Sequence, residues 1–155
     1  MTFDIRFLPT RVSDEESGQE GQLARIELGD YWEEFVVPFG HWDAAGYKNQ
    51  WAQAVERLIT EAKPSCLITY VLPAELSDLV RWWLLYPRRD TAAVREGILI
   101  RPELAAPFDP ALPYDLIPPY YNRNEEGKPI SEWILPLLDF AEFHSRRSPT
   151  KTSPD

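Results

Sequence analysis

Two kinds of hydrophobic spacing follow one another along the chain, and an irregular stretch follows them. At the start, "TFDIRFL" alternates Phe3, Ile5 and Phe7 against Asp4 and Arg6, the period of two that marks a strand with one buried face. A polar stretch rich in turn formers occupies 13–22. "LARIELG" then sets Ala24, Ile26 and Leu28 against Arg25 and Glu27, "GD" at 29–30 is a tight-turn candidate, and "YWEEFVV" follows, so 23–37 reads as a hairpin. From Asp43, a candidate helix N-cap, the spacing changes. Tyr47, Trp51, Val55, Leu58, Ile59 and Ala62 fall on one helical stripe that Lys63-Pro64 ends. "SCLITYVL", 65–72, is continuously apolar, which predicts an inner strand covered on both faces. "VRWWLLYP" and "AAVREGILI" read as two more strands.

Between 102 and 129 proline recurs too often for ladder or helix, so this stretch is expected to wrap the surface, pinned by Phe108, Tyr114 and Ile117. "ISEWIL" returns as a strand with Trp133 and Leu135 on one side and Ile134 on the other. "DFAEF" then opens a short helix, with Asp139 as cap and Glu142 three residues on. The pattern predicts one α+β domain over 1–144. It is mostly antiparallel, with about five to seven strands, one long helix packed on the sheet and a short C-terminal helix. Residues 145–155 are polar and proline-punctuated, and are expected to be a mobile tail.

Composition supports a packed fold and narrows the partners. Of the 155 residues, 44% are hydrophobic and 13% aromatic, beyond what disordered chains carry. No apolar run approaches the roughly 18 residues that cross a bilayer, and Asp4 interrupts the N-terminal apolar stretch, so a cytoplasmic protein is expected. The formal net charge is -9; the last eleven residues contribute +2, leaving -11 on residues 1–144. Nine acids crowd residues 1–34 against three arginines, whereas 81–101 holds five arginines against Asp90 and Glu96. An acidic face repels phosphates and steers cationic proteins, which argues against nucleic acid and for a basic protein partner; solubility alone is the plainer use of the same charge.

Catalytic chemistry finds little support. The chain has no glycine-rich phosphate loop, no Cys/His set at metal spacing and no nucleophile elbow, so no cofactor, metal or catalytic residue is expected. Cys66 sits in an apolar strand, where a small buried residue is the expected reading. His41 precedes the long helix and His144 lies near the end, neither spaced to activate a nucleophile. Glu33 or Glu34 with Glu132 would form a glycosidase-like pair, although acidic, Trp-rich sheets produce such pairs by chance. Asp30, Glu33 and Glu34 surround Trp32 at one turn and strand, an acidic rim about an aromatic anchor. Glu75 and Asp78 form a second cluster after the inner strand. A solvated hairpin is the plain alternative for each.

The ordered series "IELGDYWEEF", "YKNQWAQAVERL", "SCLITYVL", "WWLLYP", "AAPFDPALPYDLIPP" and "EEGKPISEW" with "DFAEF" resembles the immunity proteins of bacterial contact-dependent growth inhibition systems, over residues 2–143. The resemblance implies a small cytosolic protein with no enzymatic role. It would bind and block the C-terminal toxin domain of a neighbouring cell's large surface protein, and such toxins are often nucleases, whose surfaces are basic. No binding residue follows from the resemblance. Two other classes remain open: an acidic adaptor or regulatory module for some other basic protein, and a carboxylate-dependent hydrolase.

Overall fold

A computed structural model describes residues 2–121 and 123–147. Two antiparallel sheets hold seven strands. The first runs in the order β1 (Phe3–Ser13), β2 (Glu20–Leu28), β3 (Tyr31–Pro38), and the second in the order β4 (Ser65–Tyr70), β5 (Leu79–Pro87), β6 (Thr91–Ile100), β7 (Trp133–Pro136). Helix α1 (Ala44–Glu56) and helix α2 (Leu137–Arg147) pack beside them. This is the expected α+β architecture, with its strands divided between two sheets.

In β2 and β3 the alternation behaves as the spacing predicts. Leu28 pairs with Tyr31 across a two-residue turn in which Gly29 takes φ 69, a left-handed conformation open to glycine. Ala24, Ile26 and Leu28 are buried. β1 runs longer than expected, through Ser13, with a register shift between Phe7 and Arg11; the Leu8 carbonyl there accepts from the Gln22 side chain at 2.6 Å. The polar stretch 13–22 therefore contracts to a turn between β1 and β2.

Asp43 caps α1, its carboxylate accepting from the Gly46 N–H at 3.0 Å, and Tyr47, Trp51, Val55 and Leu58 are all buried. The helix continues as a π-helical turn over Arg57–Glu61 before Ala62 adopts φ 52. Ala62 is exposed, contrary to its expected place on the stripe, because the wider π turn rotates the residues that follow it.

All six residues of β4 are buried, yet β4 is the terminal strand of its sheet and not an inner one. Side chains of α1 take the place of the missing neighbour. Gln50 donates to the Cys66 carbonyl and accepts from the Ile68 N–H, both at 2.8 Å, and the Trp51 indole donates to the Ile68 carbonyl at 2.7 Å. The Tyr47 hydroxyl donates to the Pro38 carbonyl at 2.7 Å and accepts from the Val71 N–H at 3.2 Å, joining the ends of the two sheets. A buried strand edge is thus satisfied without another strand.

The proline-rich stretch covers the outer face of the second sheet. Phe108 meets Trp82 edge-on at 6.3 Å, Tyr120 meets Tyr86 at 5.2 Å, and Tyr114 and Ile117 pack partly buried against the core. Helix α2 follows β7 directly, its Leu137 N–H donating to the Asp90 carbonyl. Asp139 therefore lies inside the first turn and is not the cap. The helix extends through Arg147, so residues 145–147 belong to the folded body; the remainder of the expected tail, 148–155, lies outside the described residues. Phe140 stacks on Phe3 at 4.3 Å, and Arg147 reaches Asp4 at 2.7 Å.

Candidate functional site

Strand alternation assigns the hairpin acids to different surfaces. Glu34 and Trp32 pair with Arg25 and Glu27 of β2 and share the outer face, while Glu33 pairs with Ile26 and points with Tyr31 and Phe35 toward the second sheet. On the outer face the charges are already matched. Arg6 bridges Asp4 and Glu27, Arg25 bridges Glu27 and Glu34, and the Arg25 guanidinium lies 4.0 Å from the Trp32 ring centre. Trp32 remains 52% exposed, and its free face, the exposed Asp30 in the turn and the exposed Glu34 are the parts of this cluster open to a partner.

Between the sheets lies a cleft of about 980 Å³. One end is closed where Tyr31 stacks on Trp133 at 4.7 Å. At the other end the β1–β2 turn is held to the second sheet. Asp14 accepts from Ser17 N–H at 3.0 Å, Ser17 hydroxyl at 2.6 Å and Tyr70 hydroxyl at 2.7 Å, and Arg81 pairs with Glu16 at 3.1 Å. Glu33 and Phe35 line one wall; Arg81, Trp83 and Glu96 line the opposite one. Burial, then the charge of Glu33, raises the Glu96 carboxyl above its ordinary value, with Arg81 opposing. A hydrogen bond to Glu33, with burial, pushes the Tyr31 phenol up to about 12.

The structure therefore brings Glu33 together with Glu96 and not with Glu34. Glu75 and Asp78 are exposed in the turn between β4 and β5; Asp78 borders a second cavity with His41 and Arg101. Glu132 joins neither group. Its carboxylate accepts from the Arg95 Nε–H at 2.9 Å, forms an ion pair with the Arg95 Nη2 at 2.8 Å and accepts from the Tyr120 hydroxyl at 3.0 Å on the far side of the second sheet, so the pairing of Glu33 or Glu34 with Glu132 is not assembled. Burial raises the Cys66 thiol, keeping it protonated. Among the described residues no three His, Cys, Asp or Glu side chains gather to hold a metal, and no helix is long and apolar enough to cross a membrane.

Glu96, Glu16 and Arg81 are not legible as site residues in the sequence. Each looks like a solvated strand or turn residue, and only the meeting of two sheets brings them together. Four of the five arginines in 81–101 are engaged within the fold: Arg81 by Glu16, Arg95 by Glu132, Arg88 by the Tyr120 hydroxyl at 2.9 Å and Arg101 by the Ser77 carbonyl at 2.6 Å.

The model of the CdiI N-terminal domain family matches residues 37–143. The chain belongs to that family. Immunity protein CdiI of Enterobacter cloacae is 26% identical over 128 residues, spanning 81% of this chain and 88% of that relative. A solved CdiA-CT/CdiI toxin and immunity complex from Enterobacter cloacae contains a chain of similar fold, with a TM-score of 0.85 and 25% identity, covering 94% of this chain and 98% of that one. Relative to the CdiI family match, Asp30, Trp32, Glu33 and Glu34 lie before the matched stretch, whereas Glu75, Asp78 and Glu96 lie within it.

Proposed function

We propose that the chain is an immunity protein: a non-enzymatic, cytoplasmic binder of the C-terminal toxin domain of a contact-dependent growth inhibition surface protein. The observation that carries this reading is the likeness, over nearly the whole chain, to a chain of a solved toxin and immunity complex. The toxin is a basic nuclease domain whose active site the immunity protein occludes; the -9 formal charge supports such a partner by electrostatic complementarity. Its contacts centre on the β2–β3 hairpin, with Asp30 at the tip, Trp32 and Glu34 outside and Glu33 inside, while Glu75 and Asp78 form a second contact. An adaptor for some other basic protein would use the same acidic surface, but the family likeness gives it no separate support. A hydrolase would use Glu33 and Glu96, and that likeness gives it none either.

Two experiments test the reading. The toxin domain expressed alone is expected to arrest growth, and co-expression of this chain to restore it, with the two proteins co-purifying as a complex. Failure both to rescue and to co-purify overturns the proposal. Within it, reversing Asp30, Glu33 and Glu34 to Lys together is expected to weaken binding and flatten its salt dependence. If affinity and salt slope stay as they were, these residues lie outside the interface.

A further inference from the structure

Several acids of this molecule have a cation beside them. Asp4 has Arg6 and Arg147, Glu27 has Arg6 and Arg25, Glu34 has Arg25, Glu16 has Arg81 and Glu132 has Arg95. Glu33 and Glu96 differ. Among the described residues neither forms an ion pair with Lys or Arg, although both line the same cleft. Arg81 is the cation in that cleft, and its guanidinium is held by Glu16 at 3.1 and 3.2 Å. The cleft thus carries excess negative charge between walls that include Trp83 and Phe35. Such walls suit the methylene stem of a long cationic side chain, whose head then reaches the carboxylates.

We propose that this cleft receives a cationic segment of the toxin domain, an arginine or lysine side chain with its flanking backbone, and that Glu33 and Glu96 are its paired anions. The inference rests on the immunity reading above and adds to it the surface and the chemistry of the contact. The volume, about 980 Å³, accommodates a side chain with neighbouring residues and exceeds what one guanidinium needs. A partner cation relieves the repulsion between Glu33 and Glu96 and so favours the bound state over the free one. Glu96 is the sharper probe, because Glu33 also accepts from Tyr31 and its replacement would disturb that contact.

The test measures toxin-domain affinity and melting temperature for the full chain, its E96Q and E96K variants, and E126K as a charge-matched control on the exposed turn at 124–128. E96Q is expected to weaken binding about 10-fold and E96K more, with the loss concentrated at low salt. E126K stays near wild type. The free E96Q chain is expected to melt about 1–2 °C higher, since a repulsion has been removed, which a residue that merely supports the fold would not produce. Unchanged affinity in E96Q and E96K, an equal loss in E126K, or weaker binding accompanied by a lower melting temperature in E96Q each overturns the inference. In those outcomes the wild-type chain still binds, leaving the immunity reading intact; a wild-type chain that does not bind removes both.

Discussion

Gln50 carries more of this fold than its polarity suggests. Its side chain, 4% exposed, holds both the carbonyl of Cys66 and the N–H of Ile68 along an edge that no strand covers. Gln50→Met keeps the length and removes both partners, leaving two buried backbone groups unpaired. The expected cost is about 2–6 kcal/mol, since each of the two buried unsatisfied groups costs ~1–3 kcal/mol. A urea titration checks it: the midpoint should fall at an unchanged slope, and exchange of the Ile68 amide should accelerate. An unchanged midpoint would mean that the edge is satisfied without Gln50. Helical spacing correctly placed its neighbour Trp51 in the core, but it read the residue as apolar surface only. Periodicity reports which side of a helix faces inward; it carries no information on where a buried indole or amide finds an acceptor. The same limit explains Glu33 and Glu34. The sequence groups them in one acidic rim, while their opposite faces and the partner on each, Arg25 for one and Glu96 for the other, became visible only with the strands in register.

Elements were legible in proportion to the regularity of their spacing. The hairpin and α1 emerged from unbroken periods of two and 3.6, and the split into two sheets did not, because spacing within a strand says nothing of which strand it joins. Helix α2 shows what composition hides. Ser145, Arg146 and Arg147 look like the start of a loose polar tail, yet they close the helix because Asp4, 143 residues earlier, accepts from Arg147 at 2.7 Å. Basic residues in the last turn also complement the helix dipole. Asp4 is 6% exposed and also pairs with Arg6, so Asp4→Ala removes an anchor shared by β1 and α2. The expected loss is about 1–2 kcal/mol, discounted because the arginines are partly exposed. Hydrogen exchange locates the effect: amides of the last turn of α2 should lose protection while those of α1 keep theirs. Loss spread evenly over both helices would mean that Asp4 supports the whole fold and not this junction.

At the scale of the whole molecule, the buried phenols and carboxyls tilt stability toward the acid side of neutrality. Burial raises the carboxyls of Glu96 and Asp139, so the folded state takes up protons that the unfolded state still releases. For a group whose folded value is raised, stability falls as pH rises through the interval between the unfolded and folded values, and for these two acids that interval begins at the ordinary carboxylate range. The tyrosines act in the same direction at high pH. Tyr31 is pushed up to about 12 by Glu33, and Tyr70 to about 12 by burial and its hydrogen bond to Asp14, while burial also raises Tyr47, Tyr86 and Tyr114. An unfolded chain ionises these phenols near 10, so each favours unfolding as pH rises from about 10 toward about 12. Melting temperature is therefore expected to be higher at mildly acidic than at mildly alkaline pH and to fall steeply above pH ~10. Absorbance at the phenolate band should show less ionisation in the native protein than in urea at the same alkaline pH. Coincident titration curves for the native and denatured chains would show that the tyrosines are not protected by the fold, and the predicted alkaline loss of stability would lose its cause.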